Sequence, residues 1–129
     1  MNNNNNNIIY GGNYNIKTKF FEPTIVEIEN HKTKLLEEEI FGPILAIQTF
    51  RTVDEVITKA NNTPYGLSGG VWTDKGAKIF KVSKAIRAGV LWANTFNKFD
   101  PASPFGGYKE SGMGREGGLE GLMPYVNLV

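Results

Sequence analysis

The sequence contains no cysteine among its 129 residues. Disulfides, thiolate metal sites and a cysteine nucleophile are therefore excluded within this chain. No apolar run approaches the ~20 residues needed to span a bilayer. The N-terminus shows neither the basic and then apolar order of a secretory signal nor an arginine-rich amphipathic stretch. We therefore expect a cytoplasmic chain that does not associate with a membrane.

An excess of charge of one sign is also absent. Fourteen basic residues balance thirteen acidic ones, and the net charge of +1 gives no bulk attraction to nucleic acid. Four lysines, at positions 75, 78, 81 and 84, recur every three residues. That spacing drifts around an α-helix and is typical of a solvated face. We predict no nucleic-acid partner.

What is present is an ordinary globular composition behind an unusual start. Hydrophobic residues make up 40% and charged residues 21%, which predicts a folded chain, and the length suits one domain. Met1 is followed by six asparagines, which have no apolar surface to bury. We predict a disordered leader over residues 1–7 and a folded segment over residues 8–129.

Strand and helix patterns alternate along the folded segment. Apolar or β-branched runs predict strands at "IIYGG", Thr24–Ile28, Ile44–Phe50, Leu67–Thr73 and Ala88–Asn94. Helices are predicted after Thr52, after Asp74, which can cap a helix to about Arg87, and from about Arg115 to Met123. The segment "YVNLV" could form a terminal strand. Ile79, Phe80, Ser83 and Ile86 are the expected inward residues of the second helix. The alternation predicts an α/β fold with a partial, mostly parallel sheet flanked by helices.

The first of these helices has the clearest signal. Thr52 and Glu55 have the spacing of a capping box, in which hydroxyl and carboxylate each satisfy a free backbone N–H group. Val53, Val56, Ile57 and Ala60 follow at helical spacing as one apolar stripe. Asn61, Asn62 and Pro64 then end the helix.

The stretch "SGMGREGG" contains the pattern G-x-G-x-x-G at Gly112, Gly114 and Gly117. A dinucleotide-binding loop would need a hydrophobic strand just before it and an acidic residue about 20 positions later. The preceding "PASPFGGYKE" predicts a loop instead, and twelve residues follow Gly117. We therefore interpret these glycines as a tight, buried turn with positive φ angles or close backbone contacts.

Several motifs taken together resemble one family. The segments "EEEIFGPIL", "ANNTPYGLSGGVWT", "AGVLWANT" and "SPFGGYKESGMGREGG" occur in the order found in the C-terminal quarter of NAD(P)-dependent aldehyde dehydrogenases. The resemblance covers essentially Ile8 to Val129. It implies the fold of the C-terminal part of that catalytic domain, with NAD or NADP as cofactor and an aldehyde as substrate.

The resemblance also implies two cofactor-binding residues. Glu39 matches the glutamate that binds the hydroxyls of the nicotinamide-side ribose, and Phe41 matches the aromatic residue beside the nicotinamide. A carboxylate is a pure acceptor with two oxygens, which suits vicinal hydroxyls. The alternative is a solvated acidic run, Glu37 to Glu39, with Phe41 in the core.

Two further residues are implied at the substrate side. Phe99 and Phe105 match positions that line the mouth of the aldehyde tunnel, and Phe96 is a weaker candidate. The alternative is that these rings only pack in the core or the loop.

The same resemblance implies a missing nucleophile. Family members use a cysteine thiolate, a general-base glutamate and an oxyanion-hole asparagine, all of which lie upstream of the matched segment. His31, in "ENHKTK", is the one imidazole and has a hydrophilic, surface-like setting. We expect a truncated chain that is inactive alone. The alternative is a non-enzymatic interaction module that pairs with an intact aldehyde dehydrogenase subunit.

Overall fold

The computed structural model describes residues 6–29 and 33–127. The chain forms two compact units, one up to Phe50 and the other from Arg51 onward. Both units combine strands with helices, so the α/β class predicted from the sequence is confirmed.

The first unit contains a three-stranded sheet, a small hairpin and one short helix. Its elements are β1 Asn6–Tyr10, β2 Tyr14–Asn15, β3 Phe20–Phe21, β4 Thr24–Ile28, α1 Lys34–Glu37 and β5 Ile44–Ile47. Strand β4 lies in the centre, antiparallel to β1 and parallel to β5, and β2 pairs with β3. The short helix α1, which the sequence analysis did not predict, lies in the connection between the parallel strands β4 and β5.

Strand β4 has the bounds that the sequence predicted, and its residues alternate between buried and half-buried positions. Val26 and Ile28 are buried on one face together with Thr24. The Thr24 hydroxyl accepts a hydrogen bond from the Gly12 N–H at 2.9 Å and donates one to the Glu22 carbonyl at 2.7 Å. The buried hydroxyl is therefore fully satisfied and ties the Gly11–Gly12 turn to the central strand.

The boundary of the predicted leader needs a correction. Asn6 and Asn7 pair with Ile28 and Glu27, so they belong to strand β1 although their side chains have no apolar surface. The backbone ladder to β4 supplies the hydrogen bonds that composition alone could not indicate. Residues 1–5 lie outside the described residues.

The second unit contains two strand pairs and three helices. Its elements are α2 Val53–Asn61, β6 Tyr65–Gly66, β7 Ser68–Val71, α3 Gly76–Ala85, β8 Val90–Ala93, β9 Tyr108–Lys109, α4 Gly118–Leu122 and a 3₁₀ turn, Met123–Tyr125. Strands β7 and β8 are parallel with α3 between them, and β6 pairs antiparallel with β9.

Helix α2 begins as the sequence predicted. The Glu55 N–H donates to the Thr52 hydroxyl at 3.1 Å, which is one half of the capping box. The Glu55 carboxylate also accepts from the N–H of Arg51 at 2.8 Å. Arg51 is the residue before Thr52, whose N–H a capping box would use. The helix ends at Asn61, and the Asn61 amide bonds the Ala85 carbonyl and the Arg87 N–H, both at 2.8 Å.

Four sequence-based predictions in the second unit were wrong. The residue that precedes α3 is Lys75 rather than Asp74, and its side chain makes no capping bond. Phe80 and Ser83 are exposed instead of inward. The last helix begins at Gly118 rather than near Arg115, and Tyr125 lies in the 3₁₀ turn rather than in a strand, while residues 128 and 129 are outside the described part.

Few apolar side chains are buried in the described residues. Val26, Ile28 and Trp92 are the hydrophobic side chains that the structure buries there. Many large apolar side chains are exposed, among them Phe41, Phe80, Leu119 and Tyr125. In the described ranges, none of the helices has the length and apolar character needed to cross a bilayer.

Candidate functional site

The first candidate segment follows helix α1. Glu38 leaves the helix with extended backbone angles, and Glu39, Ile40 and Phe41 are exposed. Phe41 has a φ of +50°, and 90% of its surface is exposed. The Glu39 carboxylate makes no hydrogen bond or ion pair with any described residue, so both of its oxygens are free. The alternative that placed Phe41 in the core is wrong.

This segment is anchored where it enters strand β5. The Thr24 N–H donates to the Pro43 carbonyl at 2.8 Å, and the Ile44 N–H donates to the Gly42 carbonyl at 2.8 Å. The first bond ties the segment to the central strand of the sheet, and the second closes a tight turn. Glu39 and Phe41 therefore extend from a fixed point while their own side chains contact solvent.

The second candidate segment is the loop after strand β8. The Trp92 ring packs edge-to-face against Phe96 at 4.9 Å and against Phe99 at 5.5 Å between ring centroids. Phe99 packs in the same way against Phe105 at 5.0 Å. The Trp92 indole N–H donates to the Lys98 carbonyl at 2.8 Å, which fixes the loop to the strand. We call Trp92, Phe96, Phe99 and Phe105 the aromatic cluster.

The aromatic cluster has a buried end and an open side. Trp92 is buried, Phe105 is half-buried, and Phe96 and Phe99 are each more than half exposed. The backbone of Phe105 exchanges two hydrogen bonds with Glu116, at 2.7 and 2.8 Å. The structure thus brings the predicted residues Phe99 and Phe105 into direct contact and leaves an apolar face toward solvent.

Close glycine contacts hold the same loop, and the sequence analysis did not identify them. A Cβ atom on Gly89 would lie 1.6 Å from the Gly106 carbonyl oxygen, and one on Gly106 would lie 2.2 Å from the Gly114 carbonyl oxygen. The Arg115 guanidinium donates to the carbonyls of Gly107 and Gly114, both at 2.8 Å. Gly89, a glycine within the predicted strand Ala88–Asn94, is the sequence signal that indicates such backbone contact.

The glycines of "SGMGREGG" have the conformations that a turn requires. Gly112 and Gly117 have φ angles of +123° and +72°, as the turn interpretation predicted. Gly114 has open space around its Cβ position, and all three glycines are exposed, so the expectation that the turn is buried was wrong. Helix α4, which follows, has five residues.

Other chemistry is limited within the described ranges. They contain no group of three or more His, Asp or Glu residues that could hold a metal ion. His31 lies outside the described residues. Glu39 and Phe41 belong to the first unit, and the aromatic cluster belongs to the second.

The comparisons with known proteins decide the family. A family model described as the aldehyde dehydrogenase family matches residues 1–129. The chain belongs to the aldehyde dehydrogenase family. The resemblance that the sequence motifs indicated is therefore confirmed.

Similar proteins and structures carry the same family name. The cytosolic aldehyde dehydrogenase 1 of Rattus norvegicus is 42% identical over 92% of this chain and 24% of its own length. A betaine aldehyde dehydrogenase of Bacillus subtilis is 43% identical over 84% of this chain and 22% of its own. The crystal structure of betaine aldehyde dehydrogenase from Staphylococcus aureus in complex with NAD⁺ has a TM-score of 0.86 and 36% identity, covering 94% of this chain and 25% of that one.

The matches cover most of this chain but only a small part of each relative. The chain spans about a quarter of the length of the relatives that it matches. The family and the fold therefore apply to these 129 residues, while the activity of a whole aldehyde dehydrogenase is a matter for proposal.

Proposed function

We propose that this chain supplies the C-terminal part of the catalytic domain of an NAD(P)-dependent aldehyde dehydrogenase. The family match supports this, and so does the NAD⁺ complex of the Staphylococcus aureus relative. The single observation that carries the proposal is the Glu39–Phe41 segment, where a free carboxylate and a free aromatic ring stand two residues apart on an anchored turn.

The residues present fit the sugar and the ring of a nicotinamide dinucleotide. Glu39 has two unengaged oxygens, which would accept hydrogen bonds from the vicinal ribose hydroxyls. The exposed ring of Phe41 would provide an apolar surface beside the nicotinamide and exclude water there. When bound, the cofactor supplies the capacity to accept a hydride from the substrate.

The aromatic cluster has a separate role in this proposal. Phe99 and Phe105 form one face of an apolar entrance for the aldehyde, with Phe96 beside them. Edge-to-face contacts fix the rings relative to one another, so this face is formed before substrate arrives. The shared aromatic character selects apolar substrates without specifying one aldehyde.

The nucleophile must come from residues outside these 129. Aldehyde oxidation in this family proceeds through a thiolate, and the sequence contains no cysteine. Serine and threonine hydroxyls cannot replace it without an adjacent base, because their alkoxides do not form near neutral pH. We therefore propose that the chain alone does not turn over an aldehyde and that it acts in the cytoplasm together with cysteine-bearing aldehyde dehydrogenase residues.

The test is reconstitution with a separately expressed upstream portion of a relative. NADH absorbance is followed in the mixture with an aldehyde and NAD⁺. The Glu39→Gln variant is expected to raise the cofactor KM roughly tenfold, because a charged acceptor for the ribose hydroxyls is lost.

Glu38→Gln is the matched control, since Glu38 is an exposed neighbour that pairs with Lys34 at 3.2 Å and stands outside the proposed site. Equal cofactor KM values for the two variants would contradict the role of Glu39. Turnover by the isolated chain, free of contaminating enzyme, would contradict its proposed dependence on another segment.

A second candidate function is a non-enzymatic interaction module for an intact aldehyde dehydrogenase. The exposed apolar side chains of the described residues favour it, since surfaces of this kind mark protein contacts. Co-purification with a full-length relative separates the two functions. Stable binding with no gain of activity in the reconstitution assay would favour the module.

A further inference from the structure

The end of the glycine-rich stretch "SGMGREGG" contacts the loop that carries the aromatic cluster. The Gly118 N–H donates to the Pro101 carbonyl at 2.9 Å. Two residues earlier along the stretch, the backbone of Glu116 exchanges two hydrogen bonds with Phe105. Residues 115–118, which we call the backing segment, therefore bind the loop at two points, one on each side of Ser103.

Glycine is needed at position 117 for this contact. Gly117 has a φ of +72°, and a Cβ atom there would lie 2.8 Å from the Ser103 carbonyl oxygen. Gly112 also has a positive φ, +123°, yet no atom outside its chain neighbours lies within 4 Å of its Cβ position. The two glycines thus share a conformation that other residues avoid, and they differ in whether a side chain would displace the loop.

Arg115 fixes the loop beyond Phe105. One of its guanidinium nitrogens donates to the carbonyls of Gly107 and Gly114, both at 2.8 Å, and the guanidinium carbon lies 5.3 Å from the centre of the Tyr108 ring. Arg115 is half-buried and makes no ion pair with a carboxylate of the described residues. Its charge therefore strengthens bonds to backbone carbonyls, and these hold Gly107 against the backing segment.

A displacement of the backing segment would reach the rings through Phe105. The Phe105 backbone is bonded to Glu116, and the Phe105 ring packs against Phe99, which packs in turn against Trp92. The Trp92 indole N–H is bonded to the Lys98 carbonyl, so strand β8 anchors the other end of this series of contacts. The positions of the two phenylalanines therefore depend on strand β8 and on the backing segment together.

We propose that the backing segment, through Arg115 and Gly117, positions Phe99 and Phe105 and thereby sets the shape of the apolar face that meets the aldehyde. Arg115 is a positioning residue, because it contacts the loop rather than the substrate. This inference rests on the proposed function, in which the two phenylalanines form the entrance for the aldehyde. The proposed cofactor residues belong to the other unit, so the two Michaelis constants should respond differently.

The first experiment compares Gly117→Ala with Gly112→Ala in the full chain by amide hydrogen exchange. The Phe105 N–H, which bonds to the Glu116 carbonyl, is the reporter. The Val56 N–H, bonded at the start of helix α2, is the internal reference for a change in overall stability. In Gly117→Ala we expect the ratio of the two exchange rates to rise roughly tenfold, because the new side chain separates the loop from the backing segment.

Gly112→Ala is the matched control for backbone strain. It places alanine at a positive φ without the contact to the loop, so the ratio of exchange rates should stay within about twofold of that in the unmodified chain. Equal ratios in the two variants would overturn the proposal.

The second experiment leaves every glycine in place, so it applies even if Gly117→Ala does not fold. In Arg115→Ala we expect the indole N–H resonance of Trp92 to shift in two-dimensional proton–nitrogen NMR, because the neighbouring rings move. The resonance of the exposed Trp72 should stay in place. Arg115→Lys keeps the charge and loses the planar fork of donors, so its Trp92 resonance should lie between the other two.

Arg87→Ala is the matched control for the loss of a positive charge. Arg87 is exposed, belongs to the same unit, and its side chain makes no hydrogen bond or ion pair with a described residue. Its replacement should leave the Trp92 resonance unchanged. An unmoved Trp92 resonance in Arg115→Ala, or an equal shift in Arg87→Ala, would overturn the role of Arg115.

The third experiment measures both Michaelis constants in the reconstituted mixture. Arg115→Ala should raise the KM for the aldehyde roughly five- to tenfold and leave the cofactor KM and kcat within about twofold, since only the entrance changes. Arg115→Lys should recover part of the loss, and Arg87→Ala should show none. An equal rise in the cofactor KM, or a fall in kcat alone, would overturn the proposal. If the unmodified mixture is inactive, the proposed function fails, whereas the exchange ratio and the Trp92 resonance still decide whether the backing segment positions the rings.

Discussion

The two candidate segments present their side chains in opposite ways. The Glu39–Phe41 segment displays a carboxylate with no hydrogen bond or ion pair among the described residues and a ring that is 90% exposed, on a backbone with a positive φ at Phe41. The aromatic cluster holds its rings by contact with one another, and close glycine contacts and Arg115 hold its loop. The backbone positions the Glu39–Phe41 segment, whereas contacts between side chains position the aromatic cluster.

The side chains of the two segments therefore contribute differently to folding stability and to binding. An exposed side chain without a hydrogen bond or an ion pair can be changed with little effect on folding, so its role must be sought in binding. A side chain within the aromatic cluster contributes to both, so a loss of activity after its substitution does not by itself identify a substrate contact. The following predictions test that division.

The largest effect is expected from Gly89→Ala. The new Cβ atom would overlap the Gly106 carbonyl, next to Phe105 of the aromatic cluster, and the loop would have to move. Overpacking of this kind costs about 3 kcal/mol in the free energy of unfolding, measured by urea denaturation. Gly114→Ala is the control, because no atom lies within 4 Å of its Cβ position, and it should change stability by less than about 1 kcal/mol. Similar losses for both variants would contradict the close-contact account.

The next largest effect on stability is expected from Phe99→Ala, and Glu39→Gln is its comparison. Phe99 makes two edge-to-face contacts, with Trp92 and Phe105, each worth about 0.5–1.5 kcal/mol. Its removal should lower the free energy of unfolding by about 2 kcal/mol, whereas Glu39→Gln should stay within about 0.5 kcal/mol of the unmodified chain. If the two variants lose the same stability, the contrast between the segments does not hold.

The smallest effect concerns Glu55, an acid in the first turn of helix α2. The side-chain hydrogen bond from Lys59, with the one from the backbone N–H of Arg51, lowers the pKa of Glu55 from 4.5 to about 2. A lowered folded-state pKa adds stability that is fully present above the unfolded value and is lost as the pH falls toward about 2. The melting temperature of the unmodified chain should therefore fall more steeply below about pH 4.5 than that of Glu55→Gln. A Glu55→Gln variant with the unmodified acid dependence would contradict the capping and ion-pair account of Glu55.

Local sequence signals predicted the elements that depend on residues close together along the chain. Strand β4 and the start of helix α2 follow from β-branched alternation and from a threonine cap, and both lie where the sequence placed them. Asp74 did not cap α3, and Phe80 did not face inward, because side-chain periodicity indicates a stripe but not which neighbour covers it.

The candidate site was predicted by family motifs rather than by local physics. Nothing in the letters "EIFGP" indicates that Phe41 has a positive φ, because glycine next to it is the residue expected to take that conformation. The contact between Gly89 and Gly106 joins residues that are far apart along the chain, and pairing of that kind depends on tertiary structure. The roles of Glu39, Phe41, Phe99 and Phe105 stay predictions.

The two tryptophans of the chain differ in their surroundings, which gives the protein its own optical probes. Trp92 is 8% exposed with its indole N–H bonded to Lys98, while Trp72 is 62% exposed. A water-borne collisional quencher such as iodide therefore reaches one fluorophore and spares the other. The protected part of the emission reports on the aromatic cluster without a label, and a change in it on addition of an aldehyde or a partner would localise the event to that loop.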